Sequence, residues 1–167
     1  LLGRVYEVRF KTSMTPEQLM QQVKRNLASL GPEEIANFEK TKGVPWRMSL
    51  GDEYHIRLLG PWNGQVRVIE VGEDCFSFVT LEGHPEAGRI CFHAKESDQQ
   101  VMLFSIMSWA RSRDALIDVS YNKVGIAKNL QATTWRTFLN RVVELAEGEA
   151  LAEPVVSECV LEADNPG

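Results

Sequence analysis

Two arginines, a histidine and a glutamate are the residues of this chain best suited to chemistry. Arg111 and Arg113 stand in Ser108-Trp109-Ala110-Arg111-Ser112-Arg113-Asp114, where a strand-like apolar run gives way to a helical pattern. A helix N-terminus carries partial positive charge, so two guanidinium groups beside it are unfavourable unless an anion joins them. That anion is either a ligand carboxylate or phosphate, or a carboxylate of the chain itself, Glu82, Glu86 or Asp114. The internal pair is the simpler reading, and Ser112 or Asp114 reads most simply as a helix cap. His84 and Glu86 lie in Thr80-Leu81-Glu82-Gly83-His84-Pro85-Glu86-Ala87-Gly88. An imidazole on a loop at the end of a sheet can move a proton or bind a polar headgroup. The plainer reading is a turn histidine bonded to a backbone carbonyl, since loop geometry alone explains Gly83, Pro85 and Gly88.

Other residues invite chemistry less strongly. Cys91 and His93 are two apart on a strand, so they share a face with Arg89 and Lys95. Spacing indicates no third ligand and the cations repel a metal, so a solvent-facing strand is expected and no metal site. Trp62, Trp109, Tyr121 and Trp135 are candidate walls for a ligand cavity, although such aromatics are more often core. There is no Gly-x-Ser-x-Gly elbow, phosphate loop, dinucleotide fingerprint or His-Glu-x-x-His. No cofactor is implied.

The elements that must position these residues follow from periodicity. Arg4–Phe10 alternates, with Tyr6, Val8 and Phe10 on one face and Glu7 and Arg9 on the other, which predicts a half-buried strand. Thr15-Pro16-Glu17-Gln18 predicts a capped helix start, and the apolar spacing carries that helix to Gly31. Pro32–Lys42 reads as a second short helix with Ile35 and Phe38 inward. Five strands are expected next, over Tyr54–Leu59, Gln65–Val71, Phe76–Glu82, Arg89–Glu96 and Val101–Ala110, with Asn63-Gly64 as a hairpin turn. The pattern is helical from about Asp114 to Glu147, with a bend or break at Val124-Gly125 and an end at Gly148. The tail beyond is acidic and expected to be poorly ordered, with Val155-Val156 and Cys159-Val160-Leu161 apolar enough to dock.

A chain of 167 residues with 44% hydrophobic and 25% charged residues is one soluble domain by composition. The net charge of −5 comes from the tail, where Glu149, Glu153, Glu158, Glu162 and Asp164 have no basic neighbour. A neutral body lacks the basic footprint of a nucleic-acid binder. No stretch is long enough for a membrane span and no signal-like segment opens the chain, and with Leu1 in place of Met the expectation is that the true start is missing or was processed, a targeting segment with it. Three widely spaced cysteines predict a reducing, cytoplasmic setting.

Several motifs together carry a family likeness. Phe38-Glu39-Lys40, Gly51-Asp52-Glu53, Gly60-Pro61-Trp62-Asn63-Gly64, the Thr80–Gly88 and Ser108–Asp114 motifs and Gly125-Ile126-Ala127-Lys128 resemble the family called domain of unknown function 1990. The likeness runs in matching order from about Arg4 to Glu147 and is specific at the two longest motifs. That family is similar to the START-like, pollen-allergen-like superfamily, which implies a pocket for a hydrophobic small molecule. It supplies no catalytic residue to carry over.

The expected architecture is α+β and helix-grip. A curved antiparallel sheet of six or more strands wraps around a long C-terminal helix, with two short helices after the first strand. One START-like domain spans 4–147 and an acidic tail 148–167. A curved sheet cannot touch a straight helix along its whole length, so a cavity is expected between them. The preferred function is binding of a hydrophobic or amphipathic small molecule, with an acidic group near Arg111 or Arg113. The alternatives are an enzyme of cyclase, hydratase or isomerase type using His84 and Glu86, and a protein-interaction module using the tail or a sheet edge.

Overall fold

Alternation and capping build the first elements as their chemistry demands. The computed structural model describes residues 2–31, 36–58, 64–81, 86–112 and 124–160, with the backbone alone at 2, 36–37, 57–58, 86, 112, 124–132 and 159–160. Strand β1 (Leu2–Lys11) buries Tyr6, Val8 and Phe10. Helix α1 (Pro16–Arg25) begins with a reciprocal cap: the Gln18 N–H donates to the Thr15 hydroxyl at 3.2 Å, and the Thr15 N–H donates to the Gln18 side chain at 3.0 Å. The helix stops short of Gly31. Asn26 donates its side-chain amide to the Gln22 carbonyl at 2.8 Å, competing with the backbone ladder, and a separate turn α2 (Leu27–Leu30) follows.

The helix expected over Pro32–Lys42 is corrected. Ala36–Lys42 is strand β2, paired antiparallel with β3 (Glu53–Leu58) from Ala36 opposite Leu58 to Lys42 opposite Glu53. Phe38 is buried and Glu39 exposed, a period of two that the charged residues disguise. Pairing with a neighbour strand here overrides local propensity. Residues 32–35 lie outside the described residues.

The meander continues as β4 (Gly64–Val71), β5 (Cys75–Thr80), β6 (Glu86–Asp98) and β7 (Val101–Ser112). Helix α3 (Val124–Leu145) comes next, then β8 (Glu149–Ala150) and β9 (Val155–Val160). Among the described residues the sheet has nine antiparallel strands in the order β2-β3-β4-β5-β6-β7-β1-β8, with β9 also on β1. The poorly ordered tail is thereby corrected as far as Val160. β1 has only β7 on one side, and its other edge is a template that the tail strands fill.

The core lies between the sheet and the helices. Trp135, Phe138, Leu139, Val142, Val143 and Ala146 of the α3 region meet the buried faces of the strands and of α1 and α2. Trp135 and Phe138 stand 5.9 and 5.6 Å from Phe92, which stacks on Phe76 at 4.5 Å. Offset and edge contacts of this kind add about 0.5–1.5 kcal/mol each beyond area burial. Arg141 pins α3 to α2 by donating to the Ser29 carbonyl at 3.1 Å and to the Gly31 carbonyl. No helix among the described residues is long and apolar enough to cross a membrane.

Candidate functional site

The register fixes two ends of the sheet. Leu58, Gly64, Thr80, Glu86 and Ser112 are strand ends on one side, with Leu2 and Val160 beside them. The turns that join β2 to β3, β4 to β5 and β6 to β7 occupy the other side. Of the motif residues, Trp109 and Arg111 are described and lie on β7 near the first end.

At the turn end, side chains seal the fold. Lys40 points inward with its ammonium 3.1 Å from the Asp52 carboxylate, donating also to the carbonyls of Val44 at 2.7 Å and Arg47 at 2.5 Å. The same ammonium lies 5.4 Å from the centre of the Tyr54 ring. Burial, with a smaller contribution from Asp52, pushes the Tyr54 phenol up to about 12. Nearby, the Lys24 ammonium donates to the Gly72 carbonyl, and burial holds its pKa below the usual lysine value. A small open cleft of about 90 Å³ runs between Thr12–Thr15 and the Glu96–Met102 turn. It is far below the roughly 300 Å³ at which small-molecule sites begin.

Toward the first end the inner face of the sheet opens. On β7, Met102, Phe104 and Ile106 are sealed, whereas Ser108 and Ala110 on the same face are half-buried. On β6, Ala94 and Phe92 are sealed and Ile90 and Gly88 are half-buried. Phe78 gives way to half-buried Thr80 on β5, and Tyr54 to half-buried Ile56 on β3. On β3, β5, β6 and β7 the inner face thus passes from sealed to half-buried side chains toward this end at staggered levels, while Val66 and Gly64 of β4 between them stay buried. Trp135 packs against Tyr6, Phe38, Phe92 and Phe138, and Phe78, in contact with Tyr54, stands directly opposite half-buried Ile90.

Gly88 and Thr80 stitch this region together. Thr80 Oγ1 accepts the Gly88 N–H at 2.9 Å and donates to the Gly88 carbonyl at 3.3 Å. A Cβ on Gly88 would collide with the Trp109 carbonyl oxygen and sit 2.8 Å from the Ala110 Cα. The ends of the Thr80–Gly88 motif are therefore explained by close strand approach.

The expected site residues fall in different places. Trp135 is buried in the aromatic layer. Trp109 and Arg111 are on β7, opposite Arg89 and Ala87 of β6. The β7 register is unbroken from Val101 to Ala110 against β1, so Trp109 and Arg111 alternate onto the outer face, away from Phe104 and Ile106. Their expected place in the space beneath α3 is revised accordingly. Glu86 starts β6 opposite Ser112. Trp62, His84, Arg113 and Tyr121 lie outside the described residues.

The outer face also carries Cys75, Cys91 and His93. His93 Nε2 is 3.4 Å from Asp74 Oδ2. Burial, then the charges of Glu70 and Asp74, push the Cys75 thiol up, which keeps it protonated and a poor nucleophile or metal ligand. Among the described residues, no group of three His, Cys, Asp or Glu side chains is placed to hold a metal ion.

Sequence reasoning missed Arg4. It shares the inner face of β1 with Tyr6, Val8 and Phe10, is 7% exposed, and is opposite Ser108 at the open level. The alternation of β1, extended back by two residues, would have found it.

Among the described residues, a curved antiparallel sheet of nine strands with few helices, one of them following the meander, is consistent with an α+β helix-grip fold. Solved structures of that architecture agree. A protein from Thermus thermophilus superposes with a TM-score of 0.63 at 10% identity, covering 86% of this chain and 97% of that one. Norcoclaurine synthase from Thalictrum flavum, in complex with dopamine and hydroxybenzaldehyde, superposes with a TM-score of 0.56 at 11% identity, covering 86% and 88%. A conserved protein from Geobacillus kaustophilus gives 0.55 at 12% identity, covering 89% and 99%. No curated protein matches the chain in sequence. The chain belongs to the family described as Domain of unknown function (DUF1990), which it matches over residues 17–148.

Proposed function

We propose that this domain binds a hydrophobic or amphipathic small molecule between the inner face of the sheet and α3, at the strand-end level beyond Trp135. The supporting observation is the uncovering of Ile56, Thr80, Ile90 and Ser108 on a face whose neighbours are sealed. Apolar surface left uncovered on an inward face is what a ligand would bury, at roughly 25 cal/mol per Å². Trp135 forms the floor of the proposed site. Its walls come from β5, β6 and β7, with Trp62, His84 and Tyr121 in the segments nearest in sequence to the rim. A protein of the same fold, norcoclaurine synthase, is named with two small aromatic molecules bound, which is compatible with this reading. Fold likeness alone carries no activity.

Binding, rather than catalysis, is the reading we adopt. The catalytic alternative rests on His84 and Glu86, and no observation on the described residues favours it.

The test is a fluorescence titration with the neutral apolar probe N-phenylnaphthylamine, paired with native mass spectrometry and extraction of whatever the purified protein retains. Saturable, stoichiometric probe binding is expected. Ser108→Phe, which would fill the uncovered level, should weaken it about tenfold or more. Absence of saturable binding, or binding untouched by Ser108→Phe in a folded variant, overturns the proposal.

A further inference from the structure

Arg4 is a buried cation on the inner face, where a salt bridge is not needed to hold strands together. Its side chain is 8% exposed, and Nε lies 3.5 Å from Oε1 of Glu158 on β9. Arg4 and Glu158 are direct cross-strand partners, so both belong to the inner face, as do Tyr6 and Val156 two residues along. If the pair served only to fasten the tail, the outer positions of β1 and β9 would do so without removing a guanidinium from water. Burying a charge is costly even when it is paired. Across β1 the other neighbour is Ser108, the small half-buried residue at the level where the inner face opens. An arginine here borders the proposed ligand space, while Arg111 on β7 is exposed on the opposite face.

We propose that Arg4 is the anchor for the polar end of the ligand, that the ligand is an amphipathic carboxylate, and that Glu158 competes with that carboxylate for the same guanidinium. This rests on the reading that the inner face holds a hydrophobic molecule and adds the chemical class. A guanidinium presents five N–H donors in a planar fork that matches a carboxylate, and such charge-assisted bonds strengthen in a water-poor site. The apolar body of the ligand would lie along Ser108, Ile90 and Trp135. Because Glu158 sits on β9, carboxylate binding would also loosen the attachment of β9 to β1.

The experiment compares cis-parinaric acid with its methyl ester, two probes that differ only in the charged group. Wild-type protein is expected to bind the acid about tenfold tighter than the ester. Arg4→Gln should abolish that preference and leave ester binding within about twofold, whereas Glu158→Gln should tighten the acid several-fold. Acid, but not ester, should speed hydrogen exchange at the backbone of residues 155–160. Should Arg4→Gln fail to fold, the wild-type ratio and the Glu158→Gln response decide. Equal wild-type affinities, or an acid affinity unmoved by Glu158→Gln, overturn the anchor and leave the hydrophobic site standing. Failure of both probes to bind overturns the anchor and the site together.

Discussion

Lys40 and Asp52, twelve residues apart, meet at 3.1 Å with side chains only 14% and 10% exposed. The carboxylate also accepts the Ser49 N–H at 2.8 Å, and Gly43, at φ +117°, lies so close that a Cβ there would fall on it. One ion pair therefore organises the whole connection between β2 and β3. Asp52→Ala should cost about 3 kcal/mol in urea unfolding, because it leaves a covered ammonium without its counter-charge. A loss below about 1 kcal/mol would mean that solvent already screens the pair.

Thr80 and Gly88 give a second contrast. Gly88→Ala forces a methyl group against the backbone of β7 and should destabilise by about 3 kcal/mol or more. Thr80→Val keeps the shape and removes two hydrogen bonds to Gly88, so about 1–2 kcal/mol is expected. Comparable small losses for both, read from denaturant midpoints, would show that the strand ends part easily.

Tyr54 makes stability fall in alkali. Its folded-state pKa of about 12 lies above the ordinary phenol value of 10.0, so the unfolded chain gives up the phenolic proton first. The stability it carries is whole below about pH 10 and is lost as pH rises toward 12, by roughly 2 kcal/mol. The stability difference between wild type and Tyr54→Phe should shrink by that amount over this window. A difference independent of pH would assign the alkaline loss to other groups.

Trp135 and Arg111 should behave in opposite ways. Trp135→Ala removes the centre of an aromatic layer and should cost about 3–5 kcal/mol. Arg111→Ala alters an exposed outer-face residue, so stability should move by less than about 0.5 kcal/mol and probe binding should not change. Reduced ligand affinity in Arg111→Ala would reinstate that arginine in the site.

The meander was legible in the sequence because each strand alternates and turn residues punctuate the runs. β2 was not, since Glu39, Lys40 and Lys42 mimic a helical surface and only pairing with β3 reveals the strand. The tail was misread for a related reason. Its acidic composition suggests a solvated segment, but β1 offers an edge that composition cannot show. Parity limited the site in the same manner. Arginines at the end of a strand drew attention to Arg111, yet an inner or outer position follows from register counted along the strand. The same count, applied to β1, points to Arg4.

The position of β1 has a consequence for how the chain is made. A ribosome releases Leu2–Lys11 before the other described elements, but both of its neighbours come late: β7 begins at Val101 and β9 ends at Val160. The first of these strands to be synthesised is the last to gain its partners. During translation its apolar Tyr6, Val8 and Phe10 wait uncovered until those late strands emerge, so non-native contacts compete for them longest.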